Sequence, residues 1–461
     1  MSNLFYLIFR CYLLATCASY LGYPTISFLL LAYGVFLLII CSVKGWQPVD
    51  AMSLFFLCDD PKNNMNIVAA FVTDKIAFEK FKWTISKRIR DPKLENLHKR
   101  RDVFLGHDFW KKVKFDVNRH VLLKENQLKD QQGLSEEMSD HMQRTWDDST
   151  PRWNVTLYPH LGQDKSAVVF NFHHSLADGV SLATFALHLS DCDECITFPK
   201  MPKLGFIKSL LLYLTLPLTF PYYMIIGLFQ KPDTGVLHQG NLTGKKKAHL
   251  LPAISVDEVK QLARKKNETI NNYLLGNFLL SMRQYTVTKF GEQKIPNNVK
   301  IAIPFSLRSV PENGTLLAME NQFSAIFVDF NIKDGSKDYI KHAAEQINSW
   351  KTSFAPYVNV MVVRFMVSVL PKFISQPIVT DIVRKCTLNF SNVPGPCGQL
   401  RLSGQKIHDC CFFAPVQGWT ALGYSALSFN RKFYLGCIAD ECLMTEPDKF
   451  NDIFIRNVKG Q

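Results

Sequence analysis

No charged residue occurs between Cys11 and Val43, and the second part of that run, TISFLLLAYGVFLLIICSV from Thr25, approaches the roughly 20 residues that cross a bilayer. The run is too long for an ordinary buried helix, so residues 1–45 are expected to form a membrane anchor. Gly22, Tyr23 and Pro24 interrupt it. Two arrangements follow: a helical hairpin turning at those residues, or an interfacial segment leading into one span. A cleaved signal peptide is opposed by Arg10 and by apolar sequence continuing past any cleavage point.

A second uncharged run, SLLLYLTLPLTFPYYMIIGLF from Ser209 to Phe229, has spanning length but contains Pro217 and Pro221. Proline removes a helical donor and crowds the preceding turn, so a kink or a break is expected. Similar flanking charges give no orientation. The segment 201–240 is therefore read as an apolar, re-entrant or interfacial crossover. A third stretch, Phe354 to Ile374, is interrupted by Arg364 and Pro371 and reads as a core helix.

A chain of 461 residues exceeds one ordinary core, so two lobes are expected, at 46–200 and 241–461. Strand-like runs (SAVVFNF, KIAIPF, FSAIFVDF, KFYLGCIA) mix with helical ones (SVDEVKQLARKK, NNYLLGNFLLSMRQY), which gives an α/β or α+β class. The net charge of +13 favours anionic partners such as a membrane surface or phosphate groups. No nucleic-acid-binding signature accompanies it, and the longest basic run is Lys245 to Lys247, read as a solvated loop, so nucleic acid is not expected. The single CxxC, Cys192 to Cys195, lacks a second ligand pair, so no metal is expected. The twelve cysteines read as reduced thiols facing the cytosol, against which stand five N-x-S/T sequons at Asn154, Asn241, Asn267, Asn313 and Asn389.

The chemistry-bearing stretch is NFHHSLADGVSL, Asn171 to Leu182. Ala167 to Phe172 alternate as a strand, which places His174 on the face of Phe172 and His173 on the opposite one. The two histidines then cannot share a role. Asp178 and Gly179 offer a helix start, followed by an apolar stripe at Leu182, Phe185, Ala186 and Leu189. Neutral imidazole suits removal of a proton from an alcohol near neutral pH. Gly-x-Ser-x-Gly is absent, so the histidine would act directly as a base. A pair of satisfied core histidines remains the alternative reading of these residues.

HHSLADG resembles the HHxxxDG signature of the wax ester synthase/diacylglycerol acyltransferase family. VDAMSLFF, NMNIVAAF, FDVNRHV, TPRWNVTLY, TINNYLLG, PFSLRS, NQFS, SNVPGP and LGCIAD also resemble that family's segments, in its order, from Val49 to the end. The resemblance implies a two-lobed fold similar to chloramphenicol acetyltransferase, with a tunnel between lobes on one side of any membrane.

It further implies an O-acyltransferase using acyl-CoA as co-substrate, with no cofactor, and a fatty alcohol or diacylglycerol as acceptor. His174 would be the general base, His173 a support for the loop, and Gly179 part of the motif. Asp178 would be structural, paired with Arg308. Asn271 would be the oxyanion donor, while Asn272 stands where the family has aspartate. The implied location is a membrane, that of the endoplasmic reticulum with the lobes in the cytosol, or else a lipid droplet or the plasma membrane. A non-catalytic lipid-binding protein that keeps the tunnel is the competing reading.

Overall fold

A computed structural model describes residues 11–461 except 13, 17, 18, 21, 23, 59–63, 192–204, 239–241, 309–314, 397, 417–419, 421 and 444–445. The Cys192–Cys195 pair and the sequons at Asn241 and Asn313 lie outside the described residues. Helix α1, Pro24–Lys44, is long and apolar enough to cross a membrane. A Cβ added to Gly34 would meet Cys11 Cβ at 2.8 Å, and Ser19 Oγ donates to Ser27 Oγ at 2.8 Å. These contacts fold the described residues of 11–22 back on α1, turning at Gly22 (φ +80°).

Below α1, β1 (Trp46–Pro48), β3 (Lys99–Phe104) and β4 (His107–Lys112) form a small antiparallel sheet in the order β1-β4-β3. Between β1 and β3 lie α2 (Ala51–Phe56), β2 (Asn66–Asp74) and α3 (Phe78–Arg88). Asp50 caps α2 by accepting from the Ser53 amide at 2.9 Å. The first lobe continues with β5 (Val121–Leu123), α4 (Gln131–Gln143), β6 (Trp153–Leu161), β7 (Lys165–His173) and α5 (Gly179–Leu189). Strand β7 lies between β2 and β6 and is covered on both faces, so every residue after Lys165 is buried. On one face Phe172 meets Phe185 of α5, while on the other Asn171 donates to the His141 carbonyl of α4 at 2.9 Å. Asn154, a potential glycan acceptor on β6, is 1% exposed and so closed to modification in the folded chain.

Helix α6, Phe206–Phe229, runs through both prolines, so neither ends it as a break would. The carbonyls of Tyr213 and Pro217, four residues before each proline, lose their helical donors. Tyr213 and Pro217 are exposed, so water or headgroups can satisfy those oxygens. The inner face of α6 packs through Leu212, Leu216 and Phe220 on α10 (Ala355–Val369), while Lys385, just past α11 (Lys372–Arg384), donates to the Leu228 carbonyl at 2.6 Å. The Phe354–Ile374 stretch is thus two helices broken at Leu370 and Pro371, the first of them packed between α6 and the second-lobe sheet.

The remaining elements are β8 (Lys246–Leu250), β9 (Ile254–Ser255), α7 (Val256–Lys265), α8 (Ile270–Phe290), β10 (Asn298–Ser306), β11 (Phe323–Asn331), α9 (Tyr339–Thr352), β12 (Leu388–Val393), β13 (Arg401–Leu402), β14 (Gln405–Phe413), β15 (Leu422–Phe429), β16 (Lys432–Asp440) and α12 (Pro447–Lys459). The second sheet has the order β11-β10-β12-β15-β16-β8, with β9 on β16. The first has the order β13-β14-β2-β7-β6-β5. Strands β13 and β14 therefore leave the second half of the chain and extend the first sheet, with Cys411 opposite Ala70. A division of the chain at residue 241 misses this exchange. Each lobe has its own apolar core, and the pairing of β14 with β2 joins the two halves of the chain.

Candidate active site

Strand β7 ends at His173, one residue before its expected partner in alternation, yet the His174 amide still donates to the Met65 carbonyl at 2.7 Å. The two histidines part there. His173 is fully buried, its Nδ1 accepting from the Ser175 amide at 3.3 Å, and its own amide bonds the Arg152 carbonyl of the PRW turn. It stabilises the turn from inside the first lobe.

His174 faces the other lobe. Its ring stacks on Phe56 of α2, centroids 3.6 Å apart and planes 16° apart, and lies 5.8 Å from Phe323 at the start of β11. His174 is half-buried as a residue, and its Nδ1 is enclosed without a hydrogen-bond partner. Loss of hydration disfavours the imidazolium and pushes its pKa down to about 4, although Asp178, the residue's own main chain and Asn321 favour the proton. The neutral base therefore predominates at neutral pH.

Asp178 caps α5. One carboxylate oxygen accepts from the Ser181 amide at 2.8 Å and the Ser181 hydroxyl at 2.9 Å. The other accepts from Arg308 Nε at 3.1 Å and from the Gln322 amide at 2.8 Å. The Arg308 guanidinium also donates to the Glu320 carbonyl at 2.6 Å. Asp178 thus fixes the loop and the lobe contact, and no proton transfer is asked of it. Gly179 opens α5 with Val393 Cγ2 at 3.4 Å from where a Cβ would stand, so a side chain there would press on β12.

Asn321 escaped the sequence reading, although it begins the NQFS segment. Its Nδ2 donates to the His174 carbonyl at 2.8 Å and to Ser53 Oγ at 3.2 Å. One second-lobe side chain therefore ties down both the histidine and the helix that carries Phe56. Only the NQFS resemblance hinted at it, because 147 residues separate Asn321 from His174. Phe56 was equally hidden, within VDAMSLFF.

The structure does not bring Asn271 to this cluster. Its described contact is with Asn392 Nδ2 at 3.4 Å, and Asn392 precedes the Val393 that packs on Gly179. Asn272 is buried and donates to Glu268 at 2.9 Å, so a carboxylate stands one helical turn before the position at which the family has aspartate. Of the basic run, Lys246 is not solvated: it opens β8, is 3% exposed and donates to the Val416 carbonyl at 3.2 Å. Lys245 is exposed and lies 3.7 Å from Glu441. Among the described residues no three His, Cys, Asp or Glu side chains converge as metal ligands.

Comparison with known proteins shows the family and the fold. The wax ester synthase/diacylglycerol acyltransferase catalytic domain matches residues 47–203, and the WS/DGAT C-terminal domain matches 319–459. Wax ester synthase/diacylglycerol acyltransferase 4 of Arabidopsis thaliana is 22% identical over 382 residues, 71% of this chain and 73% of that protein. A probable diacylglycerol O-acyltransferase of Mycobacterium tuberculosis is 22% identical over 364 residues, 71% of this chain and 75% of its own. Among solved structures, the wax ester synthase/diacylglycerol acyltransferase from Marinobacter aquaeolei VT8 superposes with a TM-score of 0.63 at 15% identity, covering 89% of this chain and 98% of that one. The TRI3 trichothecene 15-O-acetyltransferase from Fusarium sporotrichioides gives 0.62 at 13% identity, covering 90% and 94%. The chain belongs to the wax ester synthase/diacylglycerol acyltransferase family of O-acyltransferases.

Proposed function

We propose that the protein transfers a fatty acyl group from acyl-CoA to the hydroxyl of a long-chain alcohol or of diacylglycerol, with His174 as general base. The observation that carries this reading is the His174 ring itself: desolvated, neutral, stacked on Phe56, and anchored through its carbonyl by Asn321. Nε2 takes the hydroxyl proton as the oxygen attacks the thioester carbonyl. The tetrahedral intermediate collapses, the C–S bond breaks, and the imidazolium returns its proton to the leaving thiolate.

We further place the enzyme at a membrane, that of the endoplasmic reticulum, with both lobes in the cytosol. Helix α1 supplies the spanning length. Helix α6 presents an outer face of exposed apolar side chains, Leu210, Leu214, Leu218 and Ile225 among them, and its two undonated carbonyls favour the headgroup layer over the hydrocarbon core.

The test supplies membranes carrying the protein with labelled palmitoyl-CoA and, separately, hexadecanol or diacylglycerol. Labelled ester is expected with at least one acceptor and is expected to vanish in His174→Ala. A folded protein that binds lipid without turnover overturns the enzymatic reading, and activity surviving in the variant overturns the role of His174.

A further inference from the structure

Helix α1 has the length to span a bilayer, but its neighbours limit how much of it can enter hydrocarbon. Its outer face is exposed and apolar from end to end, through Phe28, Leu31, Val35, Ile39 and Val43. The opposite face is covered twice. Toward Lys44, Leu37 and Cys41 pack with Trp46, Phe104 and Phe109 of the small sheet, and Tyr33 Oη stands 3.0 Å from His107 Nε2. Toward Pro24 the cover is the preceding arm: Ser19 donates to Ser27, and Cys11 Sγ lies 2.9 Å from where a Gly34 Cβ would stand.

The small sheet sets the depth. Asp108 follows His107 directly and is ion-paired with Arg101 and, at 3.1 Å, with Lys372. On the same sheet Asp102 accepts from Trp46 Nε1 at 2.8 Å, and β4 ends in Lys111 and Lys112. Charges in such number are expelled from hydrocarbon, so the sheet, and Tyr33 with it, lies no deeper than the headgroup layer. Only Pro24 to Tyr33 projects further, about 14 Å of helix. A hydrocarbon core is about 30 Å thick. Upright, the helix would end near the midplane; leaning, as the apolar outer face down to Val43 suits, it would end shallower. The arm returns to the level it left. Gly22 (φ +80°) turns the chain, its amide donating to the Ser19 carbonyl at 3.0 Å, and Cys11 comes back beside Gly34, the neighbour of Tyr33. The residue before Cys11 in the sequence, Arg10, is charged.

We propose that α1 and the arm before it anchor the protein in one leaflet only, the one facing the lobes, with the acyl chains of that single phospholipid layer as the partner of the apolar outer face. Both ends of the anchor then lie on the lobes' side, and nothing crosses. A phospholipid monolayer spread over oil offers the same depth of acyl chain as half a bilayer, so the anchor fits it equally. The inference rests on the membrane placement given above and is independent of the acyltransferase reading.

The test uses the full chain with one epitope before Met1 and another after Gln461, translated in the presence of sealed phosphatidylcholine vesicles so that the lobes stay outside. Protease added outside is expected to remove both epitopes. Survival of the first epitope until detergent opens the vesicles overturns the proposal. The thiol of Tyr20→Cys, at a position 90% exposed beside the turn, is expected to escape an impermeant maleimide sealed inside the vesicles. Modification above that of the parent protein means that the turn crosses, and overturns it as well. Triolein droplets coated with phosphatidylcholine are expected to bind the protein as the vesicles do, and binding to vesicles alone refutes a one-leaflet anchor. A protein that floats with neither particle sinks the membrane placement and the anchor with it, whereas the other three failures leave that placement standing.

Discussion

Arg308 Nε of the second half of the chain stands 3.1 Å from the Asp178 carboxylate of the first, with both side chains about 5% exposed or less. Two buried charges so placed compensate each other's lost hydration, and the remaining carboxylate lone pairs are met by Ser181 and Gln322. The pair therefore acts as a lobe-to-lobe rivet at the base of the histidine loop.

Removing one member leaves the other charged and dry. Arg308→Ala is expected to cost about 3–5 kcal/mol of stability. Arg308→Lys should recover only part of it, since a single ammonium cannot serve both Asp178 and the Glu320 carbonyl as the fork does. Denaturant unfolding of both variants, with Asp178→Asn and the double variant closing the cycle, gives the coupling. A coupling near zero would refute the rivet.

Asn321→Ala removes the tether on the His174 carbonyl and on Ser53. The expected outcome is a fall in kcat of about 10- to 100-fold with acyl-CoA KM little altered, because orientation and not binding is lost. Steady-state kinetics at saturating acceptor measures it. A change confined to KM contradicts the positioning role.

With the folded-state pKa of His174 near 4, the base is already unprotonated well below neutral pH. The kcat/KM profile should show no acidic limb near the ordinary histidine value of 6.5. Stability behaves differently. His141, buried beside Tyr158 at 3.0 Å, is also pushed down to about 4 by desolvation. Below pH 6.5 the unfolded chain takes up protons that these folded histidines refuse. Their contribution is complete above that pH and is lost as pH falls toward 4, by up to about 3 kcal/mol each. Thermal unfolding between pH 7 and pH 4.5 tests the sign.

Gly276 sits where α8 crosses α9. A Cβ there would meet Ile340 Cα at 2.4 Å and the Tyr339 carbonyl oxygen at 2.8 Å. Both are backbone atoms that cannot swing aside. Gly276→Ala should destabilise by about 3 kcal/mol, despite alanine's better helix propensity. Equal or greater stability in urea unfolding would show that the two helices can part.

Helix α6 is expected to lie along the membrane surface. Single cysteines introduced at Ile207 and Phe229, its two exposed ends, should react with an impermeant maleimide from the same side of sealed vesicles. Labelling from opposite sides would mean that α6 spans and that the lobes are assembled differently.

The sequence by itself determined the features set by neighbours along the chain. The uncharged run before Val43 dictated α1, alternation carried β7 to the histidines, and Asp178 followed by a helical apolar stripe dictated the cap and helix of α5. The motif's kinship also pointed to the Asp178–Arg308 pair. Contacts distant in sequence were decided only by the tertiary structure: Phe56 stacked on His174, Asn321 holding its carbonyl, and β14 joining the first sheet. Pro217 and Pro221 read as breakers because the local rule counts a lost donor. The fold retains the helix because packing of its inner face on α10 outweighs that loss and the stranded carbonyls face outward. Where a group's partners lie within one turn or one strand, its state is legible in the chain; where they lie across the lobe boundary, only packing assigns them.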